Sequence, residues 1–211
     1  MGPCGETGAG MNIAFDAVRH LYRINGSVVP NVTRVLEDLY LWDSVPAQTL
    51  ERKRQIGSVV HRAIELDVQD NLDESSIDPQ AAGYFGAWRR FGKEKRFACH
   101  LAERQVGSEK FRYAGTLDLA GDMSGSDVLI DIKTTYKLHP GSGLQTAAYL
   151  HAASEMQLIG ASAKRFALCL QADGAYRIQP HQDKNDFPVF LACLSRYNWC
   201  LAHKLIKEKL Q

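Results

Sequence analysis

Two opposite charges sit two positions apart inside an apolar stretch, Leu129-Ile130-Asp131-Ile132-Lys133-Thr134-Thr135. In an extended chain alternate residues project to one face, so Asp131 and Lys133 would present a carboxylate and an ammonium together. Asp118 closes Gly115-Thr116-Leu117-Asp118 on the preceding predicted strand, and Glu103 lies one strand earlier. Asp118, Asp131 and the carbonyl of Ile132 are oxygen donors of the kind a hard divalent cation such as Mg²⁺ takes. Lys133 could orient or deprotonate a water and stabilise charge growing on a phosphate. Phosphodiester hydrolysis needs these parts: a cation that polarises the phosphoryl oxygen and activates water, and a positive group for the developing charge. The plainer reading of Asp-x-Lys is a salt bridge on a sheet face.

Further side chains could serve the same chemistry. Gln145 and Tyr149 are one helical turn apart and share a face. Gln145 can bond a phosphate or a water on the cation, and Tyr149 can donate its hydroxyl or stack on a base. Taken alone they read as a surface glutamine and a core tyrosine. His61 and Glu65 share a helical face in the same way. Glu65 could fix the histidine tautomer or be a solvated residue. Arg52, Lys53, Arg54 and Arg62 bracket His61. Arg89, Arg90, Lys93, Lys95 and Arg96 form a second basic run, with Trp88 and Phe91 interleaved. Such clusters, with Thr134 beside Lys133, could hold DNA phosphates; the alternative is a solvated helix face.

Secondary-structure signals supply the scaffold. Asn25-Gly26 within residues 20–30 predicts a hairpin, since both residues tolerate positive φ. Thr33 can cap a short helix after Pro30. Apolar spacing predicts helices over 49–72 and 79–97, separated by an acidic loop over 67–79. Three strands over 100–106, 111–121 and 127–135 have short turn-like connections and predict an antiparallel meander. A helix over 143–158, a hairpin around Asp173-Gly174 and an amphipathic helix over 183–210 complete the order. That order predicts an α/β (α+β) fold: a central mixed β-sheet with an antiparallel meander, flanked by helices.

Composition sets bounds. The chain has 211 residues, 45% of them hydrophobic, which suits one compact domain. We expect a flexible tail over 1–10 and a single domain over 11–211. Net charge is +1, from 25 basic and 24 acidic residues, so global charge names no partner. Five scattered cysteines with no Cys-x-x-Cys argue against a disulfide framework and for a reducing, cytoplasmic setting. No apolar run approaches ~18 residues, so no membrane span is expected. The first ten residues lack the regions of a secretory signal. Glu6 stands where a myristoylation motif has Ser or Thr.

In series, Tyr113-Ala114-Gly115-Thr116-Leu117-Asp118, Leu129 to Thr135 and Gln145-Thr146-Ala147-Ala148-Tyr149 resemble the PD-(D/E)XK nuclease superfamily, in its RecB-like branch. Ile56-Gly57-Ser58-Val59-Val60-His61 is similar to a helical element of that branch. The hairpin with Val29 to Leu36 is similar to the leader of phage-type members of that branch, which also includes the mitochondrial genome maintenance exonuclease. The resemblance covers about residues 20 to 150. It implies a restriction-endonuclease-like core and a Mg²⁺- or Mn²⁺-dependent DNA nuclease. It also implies His61 as a metal ligand or neighbour, Asp118 and Asp131 as metal-binding carboxylates and Lys133 as the catalytic lysine. Gln145 and Tyr149 would contact substrate or support the site, and Glu103 would be a further metal or water ligand. Some members hold an iron–sulfur cluster, but the close cysteine pair and third cysteine expected downstream are missing, so no cluster is expected.

The leading expectation is an exonuclease on linear DNA with ends, in recombination, repair or replication-end processing of a bacterial or phage-infected cell. A structure-specific or restriction-like endonuclease is one alternative. A catalytically silent nucleic-acid-binding module is another. A homo-oligomer or a recombination or replication protein is a candidate partner.

Overall fold

The computed structural model describes residues 11–40, 47–135 and 137–206. A small antiparallel sheet comes first: β1 (Ile13–Asp16), β2 (Leu21–Ile24) and β3 (Ser27–Val29). β2 and β3 turn through Asn25 and Gly26, whose φ angles of 50° and 79° are those the turn demands. Helix α1 (Val32–Leu36) follows, then α2 (Ala47–Val68) and α3 (Ala82–Lys95). The main sheet has the order β4 (Phe97–Ser108), β5 (Tyr113–Met123), β6 (Asp127–Lys133), β7 (Lys164–Leu170) and β8 (Tyr176–His181). Its neighbours are antiparallel except β6 and β7, which are parallel and joined across α4 (Gly141–Glu155). Helix α5 (Asp186–Ala202) comes last. A mixed five-stranded sheet flanked by helices is thus the α/β core expected from the element order.

Two apolar layers sandwich this sheet. Helices α1, α4 and α5 pack on one face through Val35, Ala148, Tyr149, Ala152 and Phe190. Helices α2 and α3 cover the other through Val60, Ile64, Phe85, Trp88 and Phe91. β6 serves both layers by alternation: Leu129 faces the first, and Val128, Ile130 and Ile132 the second. Asp131 and Lys133 continue the row of Leu129, towards α4.

Several sequence expectations need correction. The cap of α1 is Asn31, whose side chain accepts from Arg34 N at 2.8 Å, and not Thr33. β1 lies outside the expected elements, because four residues offer too short an alternation to read. The acidic 67–79 segment contains a short 3₁₀ turn, Glu74–Ser76, capped by Asp73. The final helix stops at Ala202, and the predicted stretch from 207 lies outside the described residues.

Candidate metal centre

Strand pairing brings three acids into line. Ala102 pairs with Leu119 and Arg104 with Leu117, so Glu103 stands opposite Asp118. Leu119 pairs with Ile130, so one step further places Asp131 opposite Asp118 on the other side. The β5–β6 ladder ends at that step. The Ile132 N–H donates to Asp118 Oδ2 at 2.6 Å rather than to a backbone carbonyl. The Asp118 carboxylate thus replaces a ladder acceptor, which satisfies the amide and anchors the acid between the strands. Burial holds the Asp118 carboxyl above the usual carboxylate range, opposed by the charges of His61 and Lys133.

Helix α2 delivers His61 to this point. Its Nδ1 lies 3.0 Å from Glu103 Oε1 and 3.8 Å from Asp118 Oδ1, and its Nε2 lies 3.3 Å from the Ile132 carbonyl oxygen. Both ring nitrogens therefore face acceptors, which suits an imidazolium that donates twice. Burial alone would lower the imidazole pKa, but Asp118 and Glu103 outweigh it and raise it to about 9. One ligand atom each from His61, Glu103 and Asp118 lies within 4.8 Å of the others. This cluster can hold a metal ion. Glu103 also has φ 45°, a left-handed conformation inside a strand. Such a backbone costs on the order of 1–3 kcal/mol and clusters at functional sites.

Asp131 and Lys133 form the second half. The lysine Nζ lies 2.9 Å from Asp131 Oδ1 and 2.8 Å from Oδ2. Its hydrogen bond is directed at Oδ1, so the buried Oδ2 accepts none among the described residues. Burial raises the Asp131 carboxyl to about 6, with Lys133 pulling it down and Asp118 pushing it up. Lys133 also donates to Gln145 Oε1 at 3.2 Å, and Gln145 Nε2 donates to the Tyr149 hydroxyl at 3.3 Å. Burial raises the Tyr149 pKa. The chain Asp131–Lys133–Gln145–Tyr149 ties the end of β6 to α4. The tyrosine is only 4% exposed and packs on Gly115, so its ring is not presented to a base.

The donor chemistry fits a divalent cation. Two carboxylates and a backbone carbonyl converge with one imidazole, an oxygen-rich donor set of the kind a divalent cation takes. His61, Asp118, Glu103 and the Ile132 carbonyl would contribute on one side and Asp131 on the other.

The remaining expected site residues lie elsewhere in the fold. Arg52, Lys53, Arg54 and Arg62 are exposed on α2, with Arg52 bonded to Gln80 and Arg62 paired to Glu65 at 2.6 Å. Glu65 thus serves Arg62, while the carboxylate beside His61 comes from Glu103. Arg89 pairs with Asp67 at 2.6 Å and Glu74 at 2.8 Å, and Arg90 with Glu94 at 2.7 Å. Lys93 is exposed on α3. Trp88 and Phe91 are buried against the sheet, so they are core residues and no stacking platform. Half-buried Thr134 lies just past β6 beside α2, at Gly57. Sequence reading missed the Tyr22–Thr116 hydroxyl pair at 2.8 Å, which no local signal marks.

No protein-family model matches the chain. Nor does any curated protein match it. Among solved structures, the chain is similar to a candidate exonuclease from Eubacterium rectale. The two share 12% identity and a TM-score of 0.48 over 86% of this chain and 77% of the other.

Proposed function

We propose that this protein is a divalent-metal-dependent deoxyribonuclease that hydrolyses phosphodiester bonds from DNA ends. What carries the reading is the position of Asp118 on β5, between β4 and β6. It lies opposite Glu103 and Asp131 at once, with His61 on one side and Lys133 in the same electrostatic environment.

When bound, the cation would polarise a phosphoryl oxygen and acidify water. The protein's own groups do the rest. Lys133 is held by Asp131 and Gln145, so its ammonium is oriented before substrate arrives and can stabilise charge on the phosphate. Gln145, aligned by Tyr149, limits where that ammonium can go. Glu103 takes a hydrogen bond from His61 and so fixes the ring against the Ile132 carbonyl.

The test is hydrolysis of end-labelled linear DNA with Mn²⁺ or Mg²⁺, beside Lys133→Ala and a covalently closed circle. We expect loss of about 10²–10³-fold or more in Lys133→Ala, the scale of removing one preorganised charge-stabilising donor. The closed circle should survive. Equal cleavage by the variant overturns the role of Lys133, and a cut circle replaces the exonuclease reading with an endonuclease one.

A further inference from the structure

A pocket of about 600 Å³ lies on the far side of α4 from the candidate centre. Its size is within the range of about 300–1,000 Å³ typical of small-ligand sites. Each residue turns a helix by about 100°. Ala147 and His151, which line the pocket, therefore face away from Gln145 and Tyr149, which belong to the chain from Lys133. Phe187 of α5 and Lys110 of the β4–β5 turn complete the walls.

One wall is aromatic and already ordered. The His151 and Phe187 rings stack 4.2 Å apart with 10° between their planes, and Phe111 meets both edge-on. Ala147, Leu150 and Ala161 continue the apolar lining. A planar ligand can lie on such a surface without the cost of fixing loose side chains. The wall also has a polar edge. The Tyr113 hydroxyl donates to the Ala148 carbonyl at 2.9 Å, so its oxygen is left as an acceptor 3.4 Å from His151 Nδ1. Glu155 Oε2, a second acceptor, lies 3.8 Å from the same nitrogen. Burial lowers the imidazole pKa against the pull of Glu155. The neutral ring thus carries its proton on Nδ1, and Nε2 is a bare acceptor. The Ser154 hydroxyl, which can donate and accept, lines the same pocket.

The charges around the pocket are unequally engaged. Glu155 Oε1 accepts from Glu109 N at 2.9 Å and Lys110 N at 3.1 Å, and Oε2 accepts from Ser108 Oγ at 2.6 Å. Asp183 Oδ1 accepts from Asn185 N at 2.8 Å. Arg165 is paired with Asp186 at 3.0 Å. Lys110 and Lys184 are exposed lining residues and form no salt bridge among the described residues. Two ammonium groups beside an apolar slot suit an anionic group carried on a planar body.

We propose that this pocket binds a nucleoside monophosphate. The base lies along the His151–Phe187 wall, with its polar edge at Ser154 and His151 Nε2, and the phosphate meets Lys110 and Lys184. This is a second site, separated from the candidate centre by α4. The nuclease reading enters only through the source of the ligand: hydrolysis from DNA ends releases such molecules, which makes this a product site.

Isothermal titration calorimetry with deoxyadenosine monophosphate (dAMP) in EDTA tests it without metal or cleavage. We expect a Kd on the order of 10–100 µM, the scale set by the usual efficiency per atom for a ligand of this size. Lys110→Gln/Lys184→Gln should bind about tenfold more weakly or worse. Ala161→Trp, at an exposed position, fills the pocket and removes no charge; it should abolish binding. Deoxyadenosine should bind about tenfold more weakly than dAMP, and inorganic phosphate should give no signal. Lys133→Ala should bind dAMP as wild type. Absence of binding at about 1 mM dAMP overturns the proposal, as does wild-type affinity in either pocket variant. Deoxyadenosine or phosphate binding as tightly as dAMP overturns it too. Loss of binding in Lys133→Ala would place the nucleotide at the candidate centre and overturn the second site. A protein that binds dAMP as expected but hydrolyses no DNA refutes the nuclease reading alone.

Discussion

At residue scale, Asp118 does three things at once. It accepts from the Ile132 amide, faces the His61 imidazolium and stands between two other acids. Asp118→Asn can keep the first of these, because an amide oxygen still accepts a hydrogen bond, but it removes the charge. We expect a folded protein that no longer binds Mn²⁺ in calorimetry. The His61 pKa should move down from about 9, because the Asp118 charge is the largest single effect raising it. NMR titration of the imidazole reads that shift, and an unchanged value removes Asp118 from the account. His61 also sets a pH dependence for metal affinity. A ligand nitrogen must lose its proton, so metal uptake releases protons and tightens as pH rises towards 9.

Element scale explains which backbone positions tolerate change. A Cβ on Gly83 would sit 1.7 Å from the Ala172 carbonyl oxygen, so α3 can approach the β7–β8 turn only with glycine there. Gly83→Ala should cost about 1–3 kcal/mol, as overpacking does, read as a lower denaturation midpoint. A Cβ on Gly115 would lie 2.7 Å from the Tyr149 ring. Gly115→Ala should displace Tyr149, loosen Gln145 and lower hydrolysis more than stability. Glu103→Gly tests stored strain, since its φ of 45° is natural to glycine. That variant should hold or gain thermal stability while losing metal affinity; a large loss of stability refutes the strain assignment. The sequence reading places the cap of α1 at Thr33, whereas the extended backbone at Asn31 (φ −89°, ψ 154°) lets that side chain accept from Arg34 N.

For the whole molecule, the centre is a stability device as well as a chemical one. His61 has a raised folded pKa, so its contribution is complete below its ordinary value of 6.5 and fades as pH rises through about 9. Asp131 is likewise raised, from 3.8 to about 6. Its protonated form favours folding at low pH, and that contribution is lost as pH passes 6. The metal-free protein should therefore lose stability from about pH 4 upwards in two stages attributable to these groups. Mn²⁺, which binds the folded state, should raise the melting temperature more at pH 8 than at pH 5. Calorimetric scans with and without EDTA decide this; an equal increment at both values overturns the linkage. Among the described residues, no helix is long and apolar enough to cross a membrane.

Local pattern alone determined the element order from β2 onwards, the Asn25-Gly26 turn and the alternation that sets Asp131 and Lys133 on one face. Each depends on residues a few positions apart, where side-chain period and turn chemistry act directly. The shared helical face of Gln145 and Tyr149 was legible for the same reason. Which glutamate would meet His61 was not legible. Glu65 is its neighbour along the helix, and Glu103 reaches it only because α2 packs across β4 and β5. The fate of Trp88 and Phe91 and the pocket between α4 and α5 likewise depended on which surfaces the helices cover. Such contacts join residues far apart in sequence, and only packing of the whole chain decides them.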